Sequence, residues 1–131
     1  VGRDRGYRAL SFAAAPELSL TDEPTVRLGA TAGDVRAVGA PWVLCVDDAG
    51  EPLGWVRAAA VESEVTRTVL HRGGTVASTS GSLRALLDAA LSSPSGRGVV
   101  ADDDGRLVGT IRAADVIPAI EARRHEGATA R

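Results

Sequence analysis

Arg57, Arg112 and Asp115 are the side chains whose types and spacing best suit chemistry on a ligand. Each arginine stands three residues after a glycine, in Gly54-Trp-Val-Arg57 and Gly109-Thr-Ile-Arg112. Two guanidiniums facing one cleft would clamp an anion, because the planar fork bonds phosphate through two N–H groups at once. The plainer reading leaves both in solvent at a strand end, paired with Asp115 or another carboxylate. Asp115 likewise reads either as a ligand contact or as a helix N-terminal carboxylate favoured by the macrodipole. The acidic runs Asp47-Asp48 and Asp102-Asp103-Asp104 invite a metal, but magnesium or calcium needs several oxygens converging on one point. A tight turn accounts for these aspartates, so no metal ligand is assigned. His71 and His125 have no Cys or second His at ligand spacing, and both are expected in solvent. Cys45 sits in an apolar run without a neighbouring His or Lys, which suits core filling rather than nucleophilic attack. Trp42 and Trp55 would suit an aromatic cage for a quaternary ammonium, but with so few aromatics nearby, core or dimer packing is the expected role. No nucleophile–base pair can be assembled, so no catalytic residue is assigned and no enzymatic activity is expected.

The elements that hold these residues occur twice. Residues 43–61 align without gaps on residues 98–116 at an offset of 55, with eight identities: Asp47/Asp102, Asp48/Asp103, Gly50/Gly105, Gly54/Gly109, Arg57/Arg112, Ala58/Ala113, Ala59/Ala114 and Val61/Val116. In each copy an apolar run (Trp42 to Val46; Gly98 to Ala101) has the length and branching of a buried strand. Asp-Asp-Ala-Gly or Asp-Asp-Asp-Gly then makes a tight turn. A second run (Leu53 to Val56; Leu107 to Ile111) returns as a hairpin. Ahead of the second hairpin, Leu83, Leu86, Leu87, Ala90 and Leu91 fall on one helical face, with Ser80 or Ser82 as N-cap. Its counterpart, Ala32 to Gly39, is shorter. Thr25 to Leu28 and Thr75 to Ser78 are short strand candidates before each helix. Ala114 to Arg124 reads as a closing helix with Val116, Ile117 and Ile120 inward and Pro118 near its first turn. The closing helix of the first copy is weak. The unit is therefore β-α-β-β-α, twice, an α+β architecture.

Composition narrows the function classes. The chain has 131 residues, 44% of them hydrophobic, with a formal charge of −2. That gives an aliphatic core and no concentrated basic surface of the kind nucleic acid or anionic membrane requires. A single cysteine rules out a disulfide framework within the chain. No apolar stretch approaches the roughly 20 residues that span a bilayer, and no signal-peptide layout is present.

A β-α-β-β-α repeat with an Asp-x-x-Gly-x-x-x-Gly hairpin, and an Asp six residues after the second glycine, resembles the CBS domain. Asp102, Gly105, Gly109 and Asp115 carry the match, with Val99 and Val100 before them. The resemblance covers about residues 24–122. It implies two repeats packed through their sheets with pseudo-twofold symmetry, a homodimer that often forms a disc, and a cleft that holds an adenosine-containing ligand. In such clefts a Thr or Ser three residues before the final Asp contacts phosphate, and the Asp holds both ribose hydroxyls, a task suited to a carboxylate that accepts two hydrogen bonds. The second copy keeps Asp115 but has Arg112 at the Thr position. The first copy has Arg57 and Ala60 there, so its site looks degraded. The ligand-binding candidates are Asp115, Arg112, Gly109, Thr75, Val99 and Arg57.

The opening segment, with Gly2-x-Asp4-Arg5-Gly6-x-x-x-Leu10-Ser11, is similar to the stretch that joins the ATPase domain to the tandem CBS module in importers of glycine betaine and related quaternary amines. That implies residues 1–23 as a linker from a preceding ATPase domain, 24–70 as a short, degenerate repeat 1 with the inter-repeat linker, 71–122 as repeat 2 and 123–131 as a flexible tail. No Walker Gly-x-x-x-x-Gly-Lys-Ser/Thr occurs in the chain. The implied function is a regulatory module of the ATP-binding subunit, at the cytoplasmic face of the membrane beside the attached ATPase and permease. Its input would be cyclic di-AMP, an adenine nucleotide or ionic strength. The alternatives are an adenine-nucleotide sensor of another parent and a purely structural dimerisation element.

Overall fold

The computed structural model describes residues 18–71 and 76–129, with residues 123–129 described as backbone only. Two sheets form. Strands β1 (Thr25–Arg27), β2 (Trp42–Val46), β3 (Pro52–Arg57) and β4 (Leu70–His71) make the first, in that order. Strands β5 (Ala77–Ser78), β6 (Arg97–Ala101) and β7 (Leu107–Arg112) make the second. Helix α1 (Ala32–Ala37) joins β1 to the parallel β2, and helix α2 (Leu83–Ser92) joins β5 to the parallel β6. Helix α3 (Ala113–Thr129) closes the second repeat, where the first has only the three-residue 3-10 turn Ala58–Ala60. The architecture is α+β, as the sequence predicts.

Local chemistry explains most of these elements. Thr31 caps α1 in a reciprocal box: its hydroxyl accepts from the Asp34 amide at 3.1 Å, and the Asp34 carboxylate accepts from the Thr31 amide at 3.3 Å. Ser82, not Ser80, caps α2, accepting from the Ala85 amide at 3.1 Å. Each hairpin turn is built by its first aspartate. Asp47 Oδ1 accepts from the amides of Ala49 and Glu51, both at 2.9 Å, and Asp102 Oδ1 accepts from Asp104 and Arg106 at 2.9 and 3.0 Å. Gly50 and Gly105 take φ of +86° and +85°, the left-handed conformation that such turns demand and that only glycine adopts without strain. Four backbone amides and two carboxylates thus do the work that a metal would otherwise explain.

The strands alternate between two cores. Val43, Cys45 and Val56 face α1 in one cluster, and Val100 and Ile111 face α2 and α3 in another. The opposite faces, with Leu44, Val46, Trp55 and Val99, pack the two sheets together, and Trp42 and Leu107 flank them. Burial on both faces is why these strands read as continuous apolar runs.

Three expectations are corrected. Leu91 is 65% exposed and Leu87 half-buried, while Ala89 lies inside, so the buried arc of α2 is rotated away from the predicted one. On α3, Ile117 is 42% exposed and Ala119 takes its inward place beside Val116 and Ile120. Pro118 lies inside that helix rather than at its first turn, because α3 starts at Ala113 and runs on to Thr129, past Arg124. The exposed Pro118 needs no partner for its missing N–H, although the Ala114 carbonyl loses its helical donor.

The segments placed between repeats are exchanged between the two sheets. Leu70 and His71, which span the predicted repeat boundary, pair with Val56 and Trp55 of the first sheet. Thr21, inside the predicted linker, bridges Thr110 of the second sheet with amide–carbonyl distances of 2.8 and 3.0 Å. Trp55 and Thr110 occupy equivalent positions, so each hairpin receives the chain that precedes the other repeat. The symmetry breaks at the turns, where the Leu107 amide donates to the Gly50 carbonyl at 2.9 Å. Pro52, the counterpart of Leu107, has no N–H to return that bond.

Candidate functional site

The candidate side chains stand at the ends of β3 and β7, and among the described residues no hydrogen bond or ion pair joins Arg57 to Arg112 or Asp115. Arg57 ends β3 and is exposed. Arg112 ends β7, and its Nε donates to Asp115 Oδ2 at 3.4 Å, with side chains 69% and 51% exposed. Asp115 sits in the first turn of α3, where the macrodipole favours its charge. A long, solvated pair of this kind contributes at most a few tenths of a kcal/mol. It leaves one carboxylate oxygen free and holds a guanidinium beside it, a combination that offers acceptors to hydroxyls and donors to an anion.

The other candidates part from this pair. Val99 is buried in the core between the sheets. Gly109 is buried beneath the exchanged segment, where a Cβ would stand 2.7 Å from the Thr21 carbonyl oxygen and 2.9 Å from Leu20 Cβ. Its bare backbone is what lets that segment lie down. Thr75 and the opening motif of residues 2–11 lie outside the described residues.

A second polar group lies between the repeats, and the sequence gives no hint of it. Glu23, its side chain only 6% exposed, accepts from Arg97 Nε at 2.9 Å and Nη2 at 3.2 Å. It also accepts from the fully buried Thr110 hydroxyl at 2.6 Å. Arg97 Nη2 donates to the Trp42 carbonyl at 3.2 Å, and its guanidinium carbon lies 4.7 Å from the Trp55 ring centroid. Trp55 therefore spends its π face on an internal cation, and Trp42 meets His71 edge-on at 5.0 Å. The aromatic pair is packing, as expected, and His71 is exposed in β4.

Among the described residues, no group of three or more His, Cys, Asp or Glu side chains converges as a metal site would. No described helix is long and apolar enough to cross a membrane. Burial pushes the Cys45 thiol up, with Arg67 opposing and Asp47 adding to the effect. A fully buried thiol held in its neutral form should be inert. Native protein at neutral pH is therefore expected to leave Cys45 unlabelled by a maleimide that reacts fully in denaturant; rapid native labelling would contradict this placement.

No family model and no curated protein sequence matches the chain. Solved structures do. A CBS domain pair/ACT domain protein from Thermotoga maritima superposes with a TM-score of 0.61 at 23% identity, covering 79% of this chain and 93% of that one. The fold is that of a CBS domain pair. Staphylococcus aureus OpuCA gives a TM-score of 0.61 at 19% identity, over 79% of this chain and 96% of that one. The CBS domain of the bacterial CNNM/CorC family Mg2+ transporter, in complex with ATP, gives 0.61 at 17%, over 86% and 92%.

Proposed function

We propose that the chain is a ligand-sensing CBS module that regulates a transporter, specifically the ATP-binding subunit of an importer of glycine betaine or a related osmoprotectant. The observation that carries the sensing role is the exposed Asp115 carboxylate with Arg112 beside it, at the start of a helix and the end of a strand. The opening motif Gly2-x-Asp4-Arg5-Gly6 supports the importer, and the ATP-bound CBS domain of a Mg2+ transporter with the same fold supports an adenine-containing ligand. Cyclic di-AMP and the adenine nucleotides are the ligands of choice, and the module works as a homodimer at the cytoplasmic face of the membrane. Binding that favours one arrangement of the repeats biases the attached ATPase by linkage.

A thermal-shift titration with cyclic di-AMP, AMP, ADP and ATP tests this. A ligand that binds only the folded state stabilises it by about 2.7 kcal/mol at 100 times its Kd. We expect a saturable shift with one of these ligands, abolished in Asp115→Ala. That variant loses a solvated ion pair and a helix N-terminal charge, together about 1 kcal/mol or less, so its ligand-free melting temperature should lie within a few degrees of the parent. No shift with any of the four would overturn the sensor and leave a dimerisation element that binds nothing, the reading favoured by Ala60 and Arg57 in the first repeat.

A further inference from the structure

We infer that Glu23 is an internal competitor for the anionic ligand, so that ligand at Arg112–Asp115 and the attachment of residues 18–23 to repeat 2 oppose each other. The inference rests on the sensing role proposed above and adds its regulation. Arg97 on β6 stands directly opposite Arg112 on β7, so the two side chains leave one sheet face with their Cβ atoms about 5 Å apart. Like charges so placed repel, and each is met by its own carboxylate. Asp115 meets Arg112 in solvent at 3.4 Å, whereas Glu23 meets Arg97 at 2.9 Å with its side chain only 6% exposed.

Glu23 takes the donors that a phosphate would take. Its two oxygens accept from Nε and Nη2 of Arg97 and from the Thr110 hydroxyl. Arg97 is still 24% exposed, and its Nη1 has no hydrogen-bond partner among the described residues. A ligand carrying two or more phosphate groups therefore finds two cations side by side, one of them already neutralised from within. The Glu23 carboxylate repels such a ligand, and most strongly where water is excluded.

The opposition runs both ways. Residues 18–23 are held to repeat 2 by the two Thr21–Thr110 backbone hydrogen bonds, by the half-buried Leu18 and Leu20, and by Glu23. An anion on Arg97 takes away the last of these. Thr110, which serves both the bridge and Glu23, lies two residues from Arg112 on the same strand. The segment leads in from the side on which the reading above places the ATPase, so loosening it carries ligand occupancy in that direction.

Isothermal titration of the parent and of Glu23→Gln with ADP, ATP, cyclic di-AMP and AMP tests the inference, well below the melting temperature of each protein. Coupling between two binding events is reciprocal and runs from about 5-fold to about 150-fold. We expect ADP, ATP or cyclic di-AMP to bind the parent, and its Kd to fall about tenfold in Glu23→Gln. Asp88→Asn, the same change of net charge on the exposed side of α2, should leave that Kd unaltered. In the parent, amide exchange at Thr21 should accelerate when that nucleotide saturates the site, which a merely structural Glu23 would not produce. An equal Kd in parent and Glu23→Gln, slower exchange at Thr21 with ligand bound, or binding of AMP alone overturns the inference and leaves the sensor standing. No binding to either protein overturns both.

Discussion

Glu23→Ala should lower the stability of the folded chain by about 3 kcal/mol, near the lower end of the range for breaking one side of a buried ion pair. For a domain of this size that is roughly 10 °C in melting temperature. The loss has two parts. Arg97, whose side chain is 24% exposed, keeps only the Trp42 carbonyl and the Trp55 face. The Thr110 hydroxyl, wholly buried, loses its acceptor. Glu23→Gln should fall between the two proteins, because it keeps an oxygen for Thr110 and gives up the charge. Since Glu23 lies two residues beyond the Thr21–Thr110 bridge, amide exchange at Thr21 and Thr110 should accelerate first. A Glu23→Ala protein within about 0.5 kcal/mol of the parent would show that the cluster is incidental to the joining of the repeats.

Gly98→Val should be as damaging, although it copies into the second repeat the residue found at the same place in the first. Val43, the counterpart of Gly98, is fully buried against the core of α1. At Gly98 even a Cβ would stand 2.9 Å from the Ala90 nitrogen and 3.2 Å from both the Ala90 Cα and the Leu86 carbonyl oxygen. The cause is helix length. Thr31 and Ser82 are equivalent caps, but α1 has six residues and α2 has ten, and Ala90 belongs to the added turn. That turn crosses directly over β6. Valine would force the helix off the sheet and open the cluster of Leu83, Leu86 and Val116, for a loss of about 3 kcal/mol, the upper part of the overpacking range. The three nearest obstructing atoms are all backbone, so Ala90→Gly should not rescue it. An unchanged melting temperature in Gly98→Val would mean that α2 does not press on β6 as described.

Residues that act over two to four positions were legible without a structure. The Asp47 and Asp102 turns, a serine cap at Ser80 or Ser82, the hairpin strands and the duplication itself follow from local hydrogen bonding, side-chain alternation and glycine geometry. So does the weak closing helix of repeat 1, where Ala58–Ala60 has too few apolar positions to build a face. Arg112 and Asp115 were legible as a candidate site, being three residues apart at a strand–helix junction.

The choice among equivalent apolar positions was made by tertiary packing. On α2 the sequence offers Leu83, Leu86, Leu87, Ala90 and Leu91, a wider arc than one sheet can cover, and the angle at which the helix lies on β6 leaves Leu91 in solvent. The same holds for Ile117 against Ala119 on α3. The exchanged segments are equally invisible in the chain. Glu23 lies 74 residues from Arg97 and 87 from Thr110, and no local pattern joins them. Sequence determined the two repeats because each is stabilised largely from within. How they are fastened to each other rests on contacts between distant residues, which exist only after both have folded and met.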